Sequence, residues 1–329
     1  MNILPRYKLT HEALTLISKI DALRQLFSSF EIPKPVQDKI CRASLLKSSL
    51  FSARIEGNPI SMEDIEVTNE EQNKKEIYNI LSAYRFIEKE VKPNTLITTK
   101  LILSLHNIVM KDTHIEAGLF RREMGAIFNE AGIAIYVSPS PEQIEPLLNQ
   151  LLFYINSYKE KFPLVAGIIA HLSFEKIHPF IDGNGRVGRL LISAILKSKN
   201  YYFSISIPFE EYLDEHKSEY YQSLERGLQD PQTYLLFMLR AYYEQAEKVK
   251  KDLFRKLQKK ETILLPPRQE ELFNIIKEHR LVSFDFLRRR FLKIPSRTLR
   301  YDLKKMADKK FIIKIGKTKG SYYCIKLLA

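Results

Sequence analysis

The sequence predicts a mainly α-helical protein that ends in a small basic domain. Apolar residues recur at helical spacing through most of the chain, in segments separated by Pro, Gly and short polar stretches. Two segments, 125–136 and 311–326, combine β-branched and aromatic residues around a turn, which is typical of β-hairpins. From Thr262 onward the chain has 17 Lys and Arg against 6 Asp and Glu, so this part carries +11 of the net charge of +13.

The helical segments follow one another from the N-terminus. In the first, Leu16, Ile20 and Leu23 lie on one stripe, and in the fourth Thr98 is a candidate N-cap. Pro and Gly residues end several of the others. The predicted helices are Leu9–Phe30, Pro35–Ile55, Asn69–Val91, Thr98–Met110, Pro141–Tyr158, Pro163–Ile177, Arg186–Ser198, Phe209–Leu228 and Thr233–Lys260.

The basic C-terminal segment has the element order of a winged helix-turn-helix. Three helices are predicted, Arg268–Arg280, a second capped by Ser283 and ending at Phe291, and a third capped by Ser296 and ending at Lys309, before the hairpin. In that fold the third helix enters the DNA major groove. The alternative is a domain that binds only other proteins. The candidate DNA contacts are Arg297, Arg300, Lys304 and Lys305.

Composition restricts the remaining possibilities. The chain contains no apolar run of eighteen residues and no basic-apolar N-terminal signal, so we expect neither a membrane span nor export. Its two cysteines, Cys41 and Cys324, lie far apart, which favours a reducing cytoplasm. We expect three parts, residues 1–95, 96–261 and 262–329. A homodimer is left open.

The stretch His178–Arg189 concentrates groups that bind anions. Gly183 and Gly185 are expected to adopt positive φ and to let the backbone approach a ligand. The helix predicted to begin near Arg186 would present free N–H groups to this loop, which suits a phosphate. Arg186 and Arg189 are three residues apart, so both can supply forked donors to the same anion.

Two further residues of this stretch indicate the chemistry. Asp182 offers a hard oxygen ligand for Mg²⁺ that arrives with phosphates. His178 is the one group here that can accept a proton at neutral pH. A base, a metal ligand and an anion site within twelve residues predict phosphoryl or nucleotidyl transfer.

The stretch resembles the signature of the Fic family, His-x-Phe-x-(Asp/Glu)-Gly-Asn-Gly-Arg-x-x-Arg, at every specified position. The core resemblance covers about Leu96–Leu239. It implies a helical Fic core and transfer of AMP from ATP to a Tyr, Thr or Ser hydroxyl of a target protein. It also implies that the hairpin Gly125–Tyr136 is a flap on which the target docks. The residues implied in nucleotide binding are Asp182, Gly183, Asn184, Gly185, Arg186, Gly188, Arg189 and Tyr220, with His178 as the base.

A second motif precedes the core. Ser52-x-x-x-Glu56-Gly57 resembles the inhibitory motif that many Fic proteins carry on a helix. The resemblance implies that Glu56 pairs with Arg189, which would otherwise hold the γ-phosphate of ATP, so that ATP binds unproductively. Two alternatives remain. The protein could be a DNA-binding regulator that senses nucleotide, or Glu56 could position water to remove AMP from a modified protein.

Overall fold

The structure is a computed structural model that describes residues 3–29, 32, 34–65, 70–128, 134–157, 159–258, 265–309, 311–316 and 321–325. The chain divides into two compact units. The first comprises residues 1–31 and 39–254, and the second comprises residues 32–38 and 255–329. Apart from residues 34–38, the N-terminal helices therefore belong to the same unit as the predicted core. The finer division at residues 95 and 261 stays a prediction.

Most of the first unit is helical, as the periodicity predicts. Predicted and observed helix bounds mostly agree within two residues, but the predicted helix Phe209–Leu228 is two helices separated at His216. The elements are α1 (His11–Ser29), α2 (Lys34–Ile55), α3 (Glu71–Glu90), α4 (Thr99–Val109), β1 (Ala126–Phe128), β2 (Ala134–Val137), α5 (Pro141–Asn156), α6 (Pro163–Ile177), α7 (Asn184–Ser198), α8 (Phe209–Glu215), α9 (Lys217–Arg226) and α10 (Pro231–Gln258).

Helix α6 is the centre of this unit. Every residue of α6 after Pro163 is buried, because the helix is mostly apolar and packs against α5 and α7. Gly167 permits the close approach to α7, since a Cβ there would lie 3.2 Å from Ile192 Cγ2. The paired helices α6 and α7 enclose the signature loop, which therefore rests on the most buried part of the fold.

The hairpin of the first unit is present where the sequence predicts it. Strands β1 and β2 are antiparallel, with Ala126 opposite Val137 and a register irregularity between Ile127 and Phe128. The turn of the predicted flap, residues 129–133, lies outside the described residues. None of the helices that the structure describes combines the length and apolarity that crossing a membrane requires.

The second unit has the predicted element order with one addition. It contains α11 (Pro267–His279), β3 (Leu281–Ser283), α12 (Phe284–Arg290), α13 (Ser296–Asp308), β4 (Ile312–Ile315) and β5 (Tyr322–Ile325). Strand β3, which the sequence did not predict, pairs with β5, and the sheet order is β3-β5-β4. Residues 317–320, within the predicted hairpin segment 311–326, lie outside the described residues.

The two cap predictions in this unit had different outcomes. Ser283 is the N-cap of α12, and its hydroxyl accepts a hydrogen bond from Phe286 N. The Ser296 prediction was wrong. Ser296 is already inside α13, and Pro295 precedes it at the cap position. Pro295 has extended backbone angles, φ −57° and ψ 136°, and its carbonyl accepts the first helical hydrogen bond from Thr298 N at 2.9 Å, so the helix begins one residue earlier than predicted.

Candidate active site

The signature loop begins where α6 ends. His178 is the C-cap of α6 and has left-handed backbone angles, φ 49° and ψ 61°. This region is unfavourable for a residue with a Cβ, so the surrounding structure must hold it. Gly183 has φ 80° and caps the next helix, as predicted from its type. Helix α7 then begins at Asn184, two residues before the predicted start.

Gly185 does not have the predicted positive φ, because it lies in the first turn of α7. Its small size has another use. A Cβ on Gly185 would collide with the carboxylate of Glu56. The missing side chain at Gly185 leaves room for an anionic group close to the N-terminus of α7, whereas its backbone angles are those of an ordinary helix.

Asn184 braces the loop. Its side chain is buried, its Oδ1 accepts a hydrogen bond from Phe180 N at 3.0 Å, and its Nδ2 donates to Phe180 O at 2.8 Å. Both polar ends of the amide are thereby occupied within the loop. This geometry explains why the position is polar, but its predicted contact with nucleotide stays a prediction.

A second residue that holds the loop is His106 on α4, which is 2% exposed. Its ring stacks on Phe180 with centroids 3.6 Å apart. Gly118 N donates to Nδ1 at 2.8 Å, so Nε2 carries the proton and donates to Asp182 O at 3.0 Å. Burial lowers the pKa of His106 to about 4, which keeps this donor-acceptor arrangement neutral.

His178 is arranged as a neutral base. Its Nδ1 lies 3.3 Å from Glu175 O, which favours the tautomer with the proton on Nδ1 and leaves Nε2 as the acceptor. Burial lowers the pKa of His178 below its ordinary value, and the nearby Arg121 lowers it further. At neutral pH the imidazole can therefore accept a proton.

Asp182 and Arg186 form an ion pair beside the start of α7. Arg186 Nη2 lies 2.7 Å from Asp182 Oδ1, which also accepts from Gly183 N at 2.6 Å. Burial would raise the pKa of Asp182, but Arg186 and this N–H outweigh it and hold the pKa below the ordinary value. The carboxylate is ionised and its side chain is 52% exposed. A single exposed carboxylate of this kind can bind Mg²⁺ when the phosphates of a nucleotide supply further oxygen ligands.

Arg189 is held by the end of α2. Arg189 is 1% exposed, and its Nη2 lies 2.9 Å from Glu56 Oε1. Its Nε donates to Ser52 Oγ at 3.0 Å, and its Nη2 also donates to Ser52 O at 2.8 Å. The structure thus brings together all three residues of the predicted inhibitory contact. Glu56 lies at the N-terminus of α7, where an anion is electrostatically favoured.

Residues that were not singled out for this purpose hold the end of α2. Tyr221 donates from its hydroxyl to Ile55 O at 3.0 Å, and Lys217 Nζ donates to Arg54 O at 3.3 Å. The Tyr221 hydroxyl satisfies a carbonyl at the end of the helix, and Lys217 is a second donor to Arg54 O, which also accepts from Gly57 N at 3.0 Å. Both side chains belong to α9, which is more than 160 residues from α2 in the sequence, so no local pattern predicted these hydrogen bonds.

Tyr220, predicted to contact nucleotide, is 1% exposed. Its hydroxyl lies 3.3 Å from His171 Nε2, inside the core. Its burial favours a packing role, and nucleotide contact at this position stays a prediction. Gly188 lies against α6, because a Cβ there would collide with the carboxylate of Glu175. This glycine therefore serves helix packing, and its predicted nucleotide contact is likewise untested.

Glu175 is a buried acid that sequence reasoning missed. Its Oε1 has no hydrogen-bond partner among the described residues. Burial raises the pKa of Glu175 to about 8, with a further contribution from Glu56, while Arg189 opposes the shift. In the folded protein at pH 7 the Glu175 side chain is therefore mostly protonated.

This shift predicts a pH-dependent stability. The folded state retains the Glu175 proton above the unfolded value of 4.5, so the free energy of unfolding falls as pH rises from there through about 8. We expect Glu175→Gln, which is neutral throughout, to lose less stability than wild type between pH 6 and pH 8. Urea unfolding at both pH values measures this, with the exposed Glu90→Gln as control. Equal pH slopes in wild type and Glu175→Gln would contradict the prediction.

Comparison with known proteins gives consistent results. Residues 96–196 match the model of the Fic/DOC family. The protein adenylyltransferase Fic of Aedes aegypti is 28% identical over 221 residues, which cover 63% of this chain and 42% of that protein. The protein of the same name from Drosophila mojavensis is 26% identical over 220 residues, covering 63% and 41%. The chain thus spans less than half the length of these curated relatives.

Solved structures agree on the fold. A Fic family protein from Desulfovibrio desulfuricans G20 superposes with a TM-score of 0.72 at 21% identity, covering 99% of each chain. Fic-1 from C. elegans, residues 134–508, gives a TM-score of 0.61 at 21% identity and covers 74% of this chain and 73% of that one. The mainly α-helical fold is thus the fold of these solved Fic proteins, and the part of the chain that resembles the Fic/DOC family in sequence is residues 96–196.

Proposed function

We propose that this protein is an adenylyltransferase that moves AMP from ATP to a hydroxyl side chain of a target protein. The observation that carries the proposal is the arrangement around α7. A neutral His178 with Nε2 free to accept a proton stands before a helix N-terminus flanked by Arg186 and Arg189. The relatives named protein adenylyltransferase support the same activity.

The reaction follows from the roles of these residues. His178 takes the proton from the target hydroxyl, and the resulting oxygen attacks the α-phosphorus of ATP. The bond to the bridging oxygen of the β-phosphate breaks, so AMP is attached to the target and pyrophosphate leaves. The N-terminus of α7 and the two arginines stabilise the charge on the phosphates during transfer. Asp182 would hold Mg²⁺, which when bound neutralises phosphate charge.

The hairpin β1–β2 would receive the target. A short antiparallel hairpin can pair through its backbone with an extended segment of another protein, and main-chain pairing tolerates varied sequence. Tyr136 fixes this hairpin to the active site, since its hydroxyl donates to Lys176 O at 2.6 Å. A target strand docked here would therefore run close to His178.

We further propose that the resting enzyme is inhibited by Glu56. The carboxylate occupies both Arg189 and the N-terminal turn of α7, which the γ-phosphate of a productive ATP would need. Because Ser52 binds the same guanidinium, inhibition is a property of the whole end of α2. Release requires this end of the helix to move or Glu56 to be displaced.

A labelling experiment tests the proposed activity. With ATP labelled at the α-phosphate the protein itself or an added target should become labelled, whereas ATP labelled at the γ-phosphate should leave both unlabelled. Label from the γ-phosphate would indicate phosphorylation and overturn the proposal. If neither labelled ATP gives a labelled protein and AMP is released from a protein that already carries it, the result would favour the alternative in which Glu56 positions water for removal of AMP.

A second activity, DNA binding, is proposed for the second unit because one face of α13 is basic and exposed. Leu299, Leu303 and Met306 are buried on the opposite face. The exposed side chains include all four predicted contacts and an aromatic residue that is 62% exposed, and Arg300 also stacks over the Phe284 ring at 3.8 Å. These exposed residues are Arg297, Arg300, Tyr301, Lys304 and Lys305.

Salt dependence tests this proposal. We expect duplex binding to weaken as salt rises, and each of Arg297→Ala and Lys304→Ala to reduce the slope of log affinity against log salt by about 1. Fluorescence anisotropy of a labelled duplex measures it. Lys251→Ala, an exposed lysine of the first unit, is the control and should leave the slope unchanged. Equal slopes in all the proteins would favour a protein partner for α13 instead.

A further inference from the structure

The carboxyl end of α6 is closed by side chains from outside the helix. The last carbonyls of an α-helix have no partner within it. Here Lys176 O accepts from the Tyr136 hydroxyl at 2.6 Å, and His178 O accepts from Arg121 Nε at 2.7 Å. Ile177 O lies at 3.5 Å from Arg121 Nη2. Three successive carbonyls that lead into the catalytic loop are therefore held from the hairpin region.

Arg121 reaches further than this helix. Its Nη1 donates to Glu123 O at 2.7 Å and its Nη2 donates to Pro139 O at 2.5 Å. Arg121 therefore binds the backbone both before and after the hairpin. Its own backbone N donates to Pro179 O at 3.0 Å. One guanidinium, 3% exposed, thus joins the base of the hairpin to the residues that carry His178.

The charge of Arg121 is compensated in an unusual way. Among the described residues its hydrogen bonds go to carbonyl oxygens, and it lies at the negative end of the α6 dipole, which favours a cation. Burial lowers the pKa of Arg121 from its ordinary value, but the group remains charged at neutral pH. This fixed cation disfavours protonation of His178, while Glu56 and Asp182 act in the opposite direction.

We propose that Arg121, assisted by Tyr136, is the positioning residue for His178. It holds the left-handed backbone at His178 in place and aligns it with the hairpin. A non-glycine residue in this backbone region is strained and persists only where its surroundings enforce it, which the four guanidinium hydrogen bonds can do. The inference rests on the proposed role of His178 as the base of AMP transfer.

The kinetic test uses the Glu56→Gly background, in which the proposed inhibition is absent. Arg121→Gln should lower kcat by roughly tenfold to a hundredfold, because small misplacements of a catalytic group have effects of that size. The KM for ATP should change by less than about threefold, since Arg121 makes no contact with α7 in the described structure. Arg121→Lys keeps the positive charge but loses the planar set of guanidinium donors, so kcat should fall in this variant as well.

A spectroscopic test does not depend on the reaction. The chain has seven histidines, and His178→Ala assigns the His178 signal in an NMR titration of the full chain. Arg121→Gln should raise the pKa of His178 because a nearby cation is lost, and Arg121→Lys should raise it less. Arg122→Gln changes the adjacent exposed arginine and should leave both the pKa and kcat unchanged.

The outcomes separate the two proposals. An unchanged His178 pKa and an unchanged kcat in Arg121→Gln would overturn the positioning role. If Glu56→Gly transfers no AMP, the proposed function fails while the titration still decides whether Arg121 controls His178. Should Arg121→Gln not fold, Tyr136→Phe removes only one hydroxyl and should lower kcat by about twofold to fivefold at unchanged KM for ATP. Wild-type kcat in both Tyr136→Phe and Arg121→Lys would then overturn the inference.

Discussion

Replacing Glu56 by glycine is expected to raise AMP transfer by roughly tenfold to a hundredfold, the range of a coupling worth about 1–3 kcal/mol. The substitution removes the carboxylate that lies 2.9 Å from Arg189 and faces the first turn of α7. Arg189 keeps its hydrogen bonds to Ser52, so the guanidinium stays in place and becomes available to phosphate. Incorporation of label from α-labelled ATP, measured as an initial rate, gives the result.

The control for this change is Glu63→Gly, an exposed glutamate a few residues further along the chain. It loses the same charge and gains the same backbone freedom, so it separates inhibition from a general effect on the region. Equal rates in wild type and Glu56→Gly would rule out the inhibitory role, because loss of the contact between Glu56 and Arg189 would then have no effect on AMP transfer. A rise in Glu63→Gly as large as in Glu56→Gly would attribute the effect to loosening of the segment.

Replacing His178 by alanine in the Glu56→Gly protein is expected to lower transfer by roughly 10²–10⁴-fold, the usual contribution of a general base. The ATP affinity should change little, because the phosphate-facing groups are on α7 and not on the imidazole. The rate is measured with α-labelled ATP and the affinity by calorimetry. His11→Ala removes an exposed imidazole and should leave both values unchanged.

The pH profile provides an independent check on the same group. Burial lowers the pKa of His178 below its ordinary value of 6.5, so the base is neutral and competent through neutral pH. The midpoint of the fall in rate at low pH should therefore lie below pH 6.5, because the imidazole gains its proton there. A midpoint above pH 6.5 would contradict the neutral-base assignment, as would transfer that survives in His178→Ala.

The sequence by itself determined the parts that depend on local chemistry. Helical periodicity predicted most helices, because a buried stripe must recur every three to four residues. The signature loop was recognisable because His178, Asp182 and the arginines lie within twelve consecutive residues. The positive φ of Gly183 also followed from its type and its place before a helix.

Only the tertiary structure decided which distant residues meet there. Arg121 binds His178 O across 57 residues, and Glu175 is buried against α7, yet neither has a local pattern that distinguishes it from a surface residue. The contact between Glu56 and Arg189 spans 133 residues, and the sequence indicated it only through a resemblance. Gly185 is another example, because the presence of a glycine in the sequence does not show whether the position needs a positive φ or needs space for a neighbouring side chain. Packing makes that choice, since α6 and α7 bring the loop, the hairpin and the end of α2 within hydrogen-bond distance.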